Sequence, residues 1–109
     1  MTSLPGSGLL RWAEVDVDAL QHNAAAFRAH VPRSTELLVM VKSNGYGHGA
    51  ETAAQAALDG GASWLGVYTP DEALALRAAG FRLPMLVVGW SPPATLRPLI
   101  DEDVDITVF

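Results

Sequence analysis

Lys42, Tyr46 and His48 stand close together in Lys42-Ser43-Asn44-Gly45-Tyr46-Gly47-His48-Gly49. A lysine amine in its neutral form attacks carbonyl carbon, and desolvation or a cationic neighbour makes that form available. The tyrosine hydroxyl can hold a phosphate oxygen without adding charge. His48 could serve as a base or ligand, or equally could cap or pack at a helix start. Gly45, Gly47 and Gly49 permit left-handed backbone and close approach of a ligand. A plainer reading of Lys42 stays open here: a strand-end lysine with its stem on apolar surface and its head in water.

What precedes the lysine favours the chemical reading. Leu37-Leu38-Val39-Met40-Val41 is an unbroken apolar run, the pattern of a strand buried on both faces of a parallel sheet. Such a strand delivers Lys42 to its C-terminal end, where α/β folds bind ligands. Side chains alternate, so Lys42 shares a face with Met40 and Leu38, while Val41 and Val39 turn to the other.

The remaining chain supplies a repeating βα pattern, with strands beginning near 37, 64, 85 and 104. Asp18, with Gln21 three residues on, predicts the start of a helix carrying Leu20, Ala24, Phe27 and Val31 on one face and ending at Pro32. A helix over about 50–58 closes at Gly60-Gly61 in left-handed backbone. Trp64 to Tyr68 reads as a strand. Thr69-Pro70-Asp71-Glu72 then opens a helix that runs to Ala79 and stops at Gly80. Met85 to Trp90 is a third strand, followed by a short helix limited or kinked by Pro98. A fourth strand begins at Asp105. Residues 1–10 read as a flexible tail, and Trp12 to Val17 alternates like a strand with one wet face. The fold class is α/β, and both the (β/α)8 barrel and the doubly wound sheet share this order. A full barrel takes about 250 residues, so four strands make its first half.

Composition narrows the partners. The 109 residues carry a net charge of −5 with no basic stripe, which argues against nucleic acid and anionic membranes. No apolar run approaches the roughly 20 residues of a membrane span, and the N-terminus lacks a secretory pattern. Cysteine is absent, which removes disulfides and thiolate metal sites and fits a cytoplasmic location. His22, His30 and His48 show no metal-ligand spacing, so no metal is expected.

Val41-Lys42-Ser43-Asn44-Gly45-Tyr46-Gly47-His48-Gly49-Ala50 resembles the cofactor-attachment segment of alanine racemases, V-K-A-[DN]-A-Y-G-H-G, with departures at Ser43 and Gly45. Trp12 to Leu20 is similar to the family's opening, and the resemblance runs from Arg11 to Phe109. It implies that residues 11–109 are the N-terminal portion of a TIM-type barrel that binds pyridoxal 5'-phosphate, with Trp12 to Val17 joining a C-terminal β-domain outside these residues. It implies Lys42 as the Schiff-base lysine and the base for the α-proton of D-alanine, Tyr46 on the cofactor phosphate, and Val88 against the cofactor ring. In the family the second base is a tyrosine of the partner subunit, and an arginine near the pyridine nitrogen comes from a later strand. The implied protein is a cytoplasmic homodimer that interconverts L- and D-alanine for the cell wall, with the 109 residues alone inactive.

Other readings compete. Gly45 to Ala50 also satisfies G-x-G-x-x-[GA], a dinucleotide fingerprint, but Val67-Tyr68-Thr69 offers no acid for the ribose at the end of the second strand. A pyridoxal phosphate homeostasis protein would carry a strand-end lysine, yet lacks the Tyr-Gly-His-Gly loop. A non-catalytic interaction domain is a further alternative.

Overall fold

The computed structural model describes residues 8–109. The order is α1 (Val17–His30), β1 (Leu38–Met40), a one-turn element α2 (Lys42–Tyr46), α3 (Ala50–Asp59), β2 (Trp64–Val67), α4 (Pro70–Ala78), β3 (Met85–Val87), α5 (Pro93–Asp101) and β4 (Asp105–Ile106). All neighbouring strands are parallel, and the sheet order β1-β2-β3-β4 follows the sequence without reversal. A doubly wound sheet reverses its order at a switch point. Sequential order is that of a barrel wall, so the chain forms the α/β half-barrel expected of it.

The two sheet faces have different fates. Val41, Leu65, Val67, Met85 and Val87 point into the helical layer and are fully buried with Ala54, Ala57, Ala73, Leu76 and Leu99. Burying each large side chain contributes about 1.5–3 kcal/mol, so this face holds the sheet to its helices. The opposite face carries Leu38, Met40, Trp64, Gly66 and Leu86. Gly66 is required there: a Cβ would lie within 2.7 Å of Leu38 Cδ2 and closer still to the Met40 sulfur. Leu38, Met40, Trp64 and Leu86 are only half-buried. Of the run through β1, expected to be buried on both faces, only Val41 on the helix side is fully buried, and Leu37 to Met40 are half-buried.

Local signals explain most helix ends. Thr69 caps α4 in a complete capping box with Glu72, and Pro70 occupies the first turn. Gly61 takes the left-handed conformation after α3, at φ 105°, but Gly60 does not. Gly60 instead serves close approach, since a Cβ there would meet Ala24 Cβ and Gln21 O at 2.6 Å. Helix α5 continues through Pro98, which forgoes one backbone bond.

Several expectations need correction. Helix α1 starts one residue before Asp18, capped by Asp16, whose Oδ1 accepts from Ala19 N at 3.0 Å. Asp18 sits in the first turn, where its charge suits the helix dipole. Phe27 is 65% exposed rather than inward, because α1 seats on α3 through Ala24 and leaves Phe27 over a cleft beside the free edge of β1. Trp12 to Val17 forms no strand. Alternation is satisfied only by pairing, and the described residues contain no strand alongside this segment. Strand β3 ends at Val87, although Val88 and Gly89 still donate to Val67 O and Tyr68 O. Of the expected tail, residues 1–7 lie outside the described residues, and Gly8 to Leu10 are exposed and irregular.

Arg77 joins the far end of the sheet. It is 5% exposed, and its guanidinium donates to the carbonyls of Phe81, Leu83, Glu102 and Asp103. Burial, and then the nearby Arg82, lower its proton affinity below the usual arginine value. One planar fork thus ties the α4–β3 and α5–β4 turns together. Arg77→Leu is expected to destabilise the fold by about 2–4 kcal/mol, because carbonyls lose a charged donor. Arg77→Lys should recover little of this, since an ammonium cannot span four acceptors. Urea denaturation of both variants checks this, and a wild-type midpoint for Arg77→Leu would refute the clamp.

Candidate functional site

The site begins where β1 stops. Ser43, Asn44, Gly45 and Tyr46 all have positive φ, at 53°, 55°, 63° and 55°, so the chain leaves the lysine through one left-handed turn. For residues with a Cβ this backbone costs roughly 1–2 kcal/mol each, with Asn tolerating it best. Gly45 is buried at the turn's centre, and a Cβ there would lie 2.9 Å from Ala53 Cβ.

Hydrogen bonds hold the turn. Gly45 N donates to Val41 O at 2.9 Å, and the amides of Gly47 and Gly49 donate to Asn44 O. Asn44 Oδ1 accepts from Ala50 N at 3.0 Å and so caps α3 from six residues away. His48 N donates to Gly45 O, and His48 Nδ1 lies 2.9 Å from the same oxygen. A carbonyl only accepts, so Nδ1 carries its hydrogen. This bond anchors the His48 ring to the lysine turn.

The turn folds Tyr46 back toward the lysine. Lys42 Nζ lies 5.6 Å from the centre of the Tyr46 ring and 5.8 Å from that of Tyr68. Lys42 and Tyr46 are thus brought together as expected. Val88 stands two strands away at the same end of the sheet, half-buried, with its N–H on Val67 O at 2.9 Å. Tyr68 was not among the expected site residues. Its signal was available: strand alternation puts it on the face of Trp64 and Gly66, one step beyond β2.

Glu72 is the other omission. It reads as a helix-start acid, and it does complete the capping box through Thr69 N at 2.9 Å. The same Oε1 accepts from Tyr68 N at 2.8 Å, and Oε2 accepts from Ser43 N at 2.6 Å. One carboxylate therefore ties the lysine turn to the end of β2. Partial burial raises its pKa, but the backbone hydrogen bonds from Thr69, Ser43 and Tyr68 outweigh it, and the carboxyl titrates below the usual value of 4.5.

A depressed folded pKa contributes stability above the unfolded value, lost as pH falls through the folded one. Glu72 should therefore stabilise the fold at neutral pH and progressively less below about pH 4.5. Glu72→Gln is expected to lower the denaturation midpoint at pH 7 and to flatten its fall between pH 5 and the acid limit. Parallel pH profiles for wild type and variant would reject the assignment. The amide nitrogen of Gln faces one of the backbone donors, so the lysine turn should also loosen in hydrogen exchange.

The geometry disfavours the dinucleotide reading. The amides of Gly47, His48, Gly49 and Ala50 are all spent on Asn44 and Gly45, leaving no cradle of free N–H groups for a pyrophosphate. Among the described residues no group of His, Cys, Asp and Glu could hold a metal ion. Nor is any described helix long and apolar enough to cross a membrane.

Comparison with known proteins agrees with the geometry. Residues 15–109 match the family model for the alanine racemase N-terminal domain. Over 106 residues the chain is 44% identical to alanine racemase 2 of Oceanobacillus iheyensis, covering 97% of this chain and 27% of that protein. It is 45% identical over 98 residues to alanine racemase of Geobacillus stearothermophilus, covering 90% and 25%. The crystal structure of alanine racemase from Bacillus anthracis with bound L-Ala-P superposes with a TM-score of 0.84 at 42% identity, covering 87% of this chain and 25% of that one. The chain thus spans about a quarter of the length of these relatives. A sequential parallel half-barrel, with a lysine at the end of its first strand and a family match over nearly all its length, places the chain in the alanine racemase family, in its N-terminal domain.

Proposed function

We propose that the protein is a pyridoxal phosphate-dependent alanine racemase, with L- and D-alanine as substrates, and that Lys42 is the residue that attaches the cofactor. The observation that carries this reading is the position of Lys42: a rigid strand delivers its amine to the ligand-binding end of the sheet, between two tyrosine rings. The names of the relatives support the reaction.

The residues present fit the cofactor. An amine, a phenol and apolar surface at the end of β3 converge at one mouth, and the nearby Glu72 carboxylate has both oxygens turned to backbone donors. When bound, pyridoxal phosphate supplies an electron sink that makes the α-hydrogen of an amino acid acidic. Lys42 Nζ would attach it, give it up to the substrate amine, and then take or return the α-proton of D-alanine. Tyr46 would donate its hydroxyl to a phosphate oxygen, and Val88 would lie against the ring. A racemase needs a proton donor on each face of the α-carbon. The reading gives Lys42 one face and assigns the other to a partner subunit in a homodimer. Residues 1–109 alone are accordingly proposed to be inactive. A cytoplasmic location and D-alanine supply for the cell wall complete the proposal.

In the full-length protein, borohydride reduction with the cofactor bound should leave a pyridoxyl label on the peptide containing Lys42, and Lys42→Arg should abolish label and racemisation together. A label confined to another lysine, which would have to lie beyond Phe109 because Lys42 is the only lysine of these residues, would overturn the assignment. Tyr46→Phe removes one hydrogen bond to a charged group, worth roughly 1.5–3 kcal/mol. Cofactor affinity should fall about ten- to hundredfold with the fold retained. An unchanged Kd would mean that the phenol only packs.

A further inference from the structure

We propose that Tyr68 is a positioning residue for the Lys42 amine, its ring forming with that of Tyr46 a slot that presents the amine at the mouth of the sheet. The slot rests on geometry alone. Its use in cofactor capture rests on the proposed role of Lys42.

Both ring centres lie within the distance of about 6 Å at which an ammonium and an aromatic face attract. They come from different strands, Tyr46 from the turn after β1 and Tyr68 from the end of β2, so they confine the amine from two directions. Tyr68 is fixed through its backbone on both sides. Its N–H donates to Glu72 Oε1 at 2.8 Å, and its carbonyl accepts from Gly89 N at 3.0 Å. Glu72 also holds Ser43, next to the lysine, so one carboxylate sets the spacing between amine and ring.

Room for the ring comes from Gly89. A Cβ at 89 would stand 2.5 Å from Tyr68 O and 3.1 Å from Tyr68 Cε1 and Cζ. A side chain there would strain the Tyr68 carbonyl first and crowd the ring beside it. Nothing in the core asks for this tyrosine: it is 54% exposed, and the helix-side core closes without it. A large ring at the mouth, fixed and given space beside the lysine, is explained by what it faces.

The consequence follows from the lysine stem. Four methylenes leave the amine many rotamers, and fixing them at the moment of reaction costs more than an exposed cation–ring contact gains. A slot that already limits those rotamers removes part of that cost. The ring face, not the hydroxyl, performs this role. Phenylalanine should therefore replace Tyr68, and leucine, apolar but smaller and without a π-face, should not.

The test uses the purified protein with carbon-13 lysine, the Lys42 signals being assigned by their loss in Lys42→Arg. Two facing rings shift the ε-methylene protons of Lys42 upfield. Tyr68→Leu is expected to move those signals part-way back to the free-lysine position, and Tyr68→Phe to leave them in place. Gly89→Ala, which strains the Tyr68 carbonyl and crowds its ring while keeping the tyrosine, should move the signals in the same direction and serves if Tyr68→Leu does not fold. In parallel, the protein freed of cofactor is mixed with pyridoxal phosphate and quenched with borohydride at short times. Labelling of the Lys42 peptide should slow about two- to fivefold in Tyr68→Leu and keep its rate in Tyr68→Phe. Lys42 signals that stay put in both Tyr68→Leu and Gly89→Ala overturn the slot. Shifted signals with an equal or faster labelling rate overturn its role in capture. A wild-type protein that never labels at Lys42 overturns the cofactor reading and the capture step with it, while the lysine signals alone still decide the slot.

Discussion

The bond from Ser43 N to Glu72 Oε2 is the constraint on which the site depends. Without it, the lysine turn would be held by its own hydrogen bonds, by the seat of Asn44 and Gly45 against α3, and by Val41 N on Gly66 O. With it, the turn is referenced to β2, because the same side chain accepts from Tyr68 N and Thr69 N. Bonds to a charged acceptor are about twice as strong as neutral ones. A carboxylate that meets three backbone donors is also not free to swing toward the lysine. Glu72 therefore sets a distance between two strand ends.

That tether matters because the turn is strained. Ser43, Asn44 and Tyr46 lie in left-handed backbone, at a cost of roughly 1–2 kcal/mol each by general sterics. The offsets are local and identifiable: Gly45 at the crowded centre, Asn44 bonding through both backbone and side chain, and His48 closing on Gly45 O. An extended exit would carry residue 46 away from residue 42. The left-handed turn returns the chain on itself and sets the Tyr46 ring beside the amine.

The sequence disclosed the helices and strands well where one local signal sufficed. The Thr69 capping box, the apolar runs and the Gly61 stop all express short-range chemistry, and the βα order followed from them. The lysine was legible for the same reason, since strand and loop are adjacent in the chain. What stayed hidden depends on residues far apart in sequence. Glu72 looked like a helix-start acid because its bond to Ser43 spans 29 positions. Tyr68 looked like the last residue of a strand until Lys42 stood across from it. Trp12 to Val17 misled in the opposite direction, because alternation announces a strand only when another strand lies alongside. Phe27 sits on an apolar helical face, but which part of a face is covered depends on where the neighbouring helix crosses.

The unequal burial of the two sheet faces connects fold to function. The helix side carries the fully buried core, so the sheet is held in place from behind. The mouth side carries Leu38, Met40 and Leu86 half-buried, with Gly66 making room for the first two to lie across β2. A cleft of about 230 Å³ follows the free edge of β1, from Leu20 and Phe27 to Tyr46 and His48. In a barrel that edge pairs with the last strand, and closed pairing is what removes exposed edges. The chemical groups therefore stand at the end of the half-buried face, which this chain leaves open, on a sheet held in place from behind. Tyr46 also lines the cleft along the edge where a barrel closes, so closure would bear directly on one of the two rings beside Lys42.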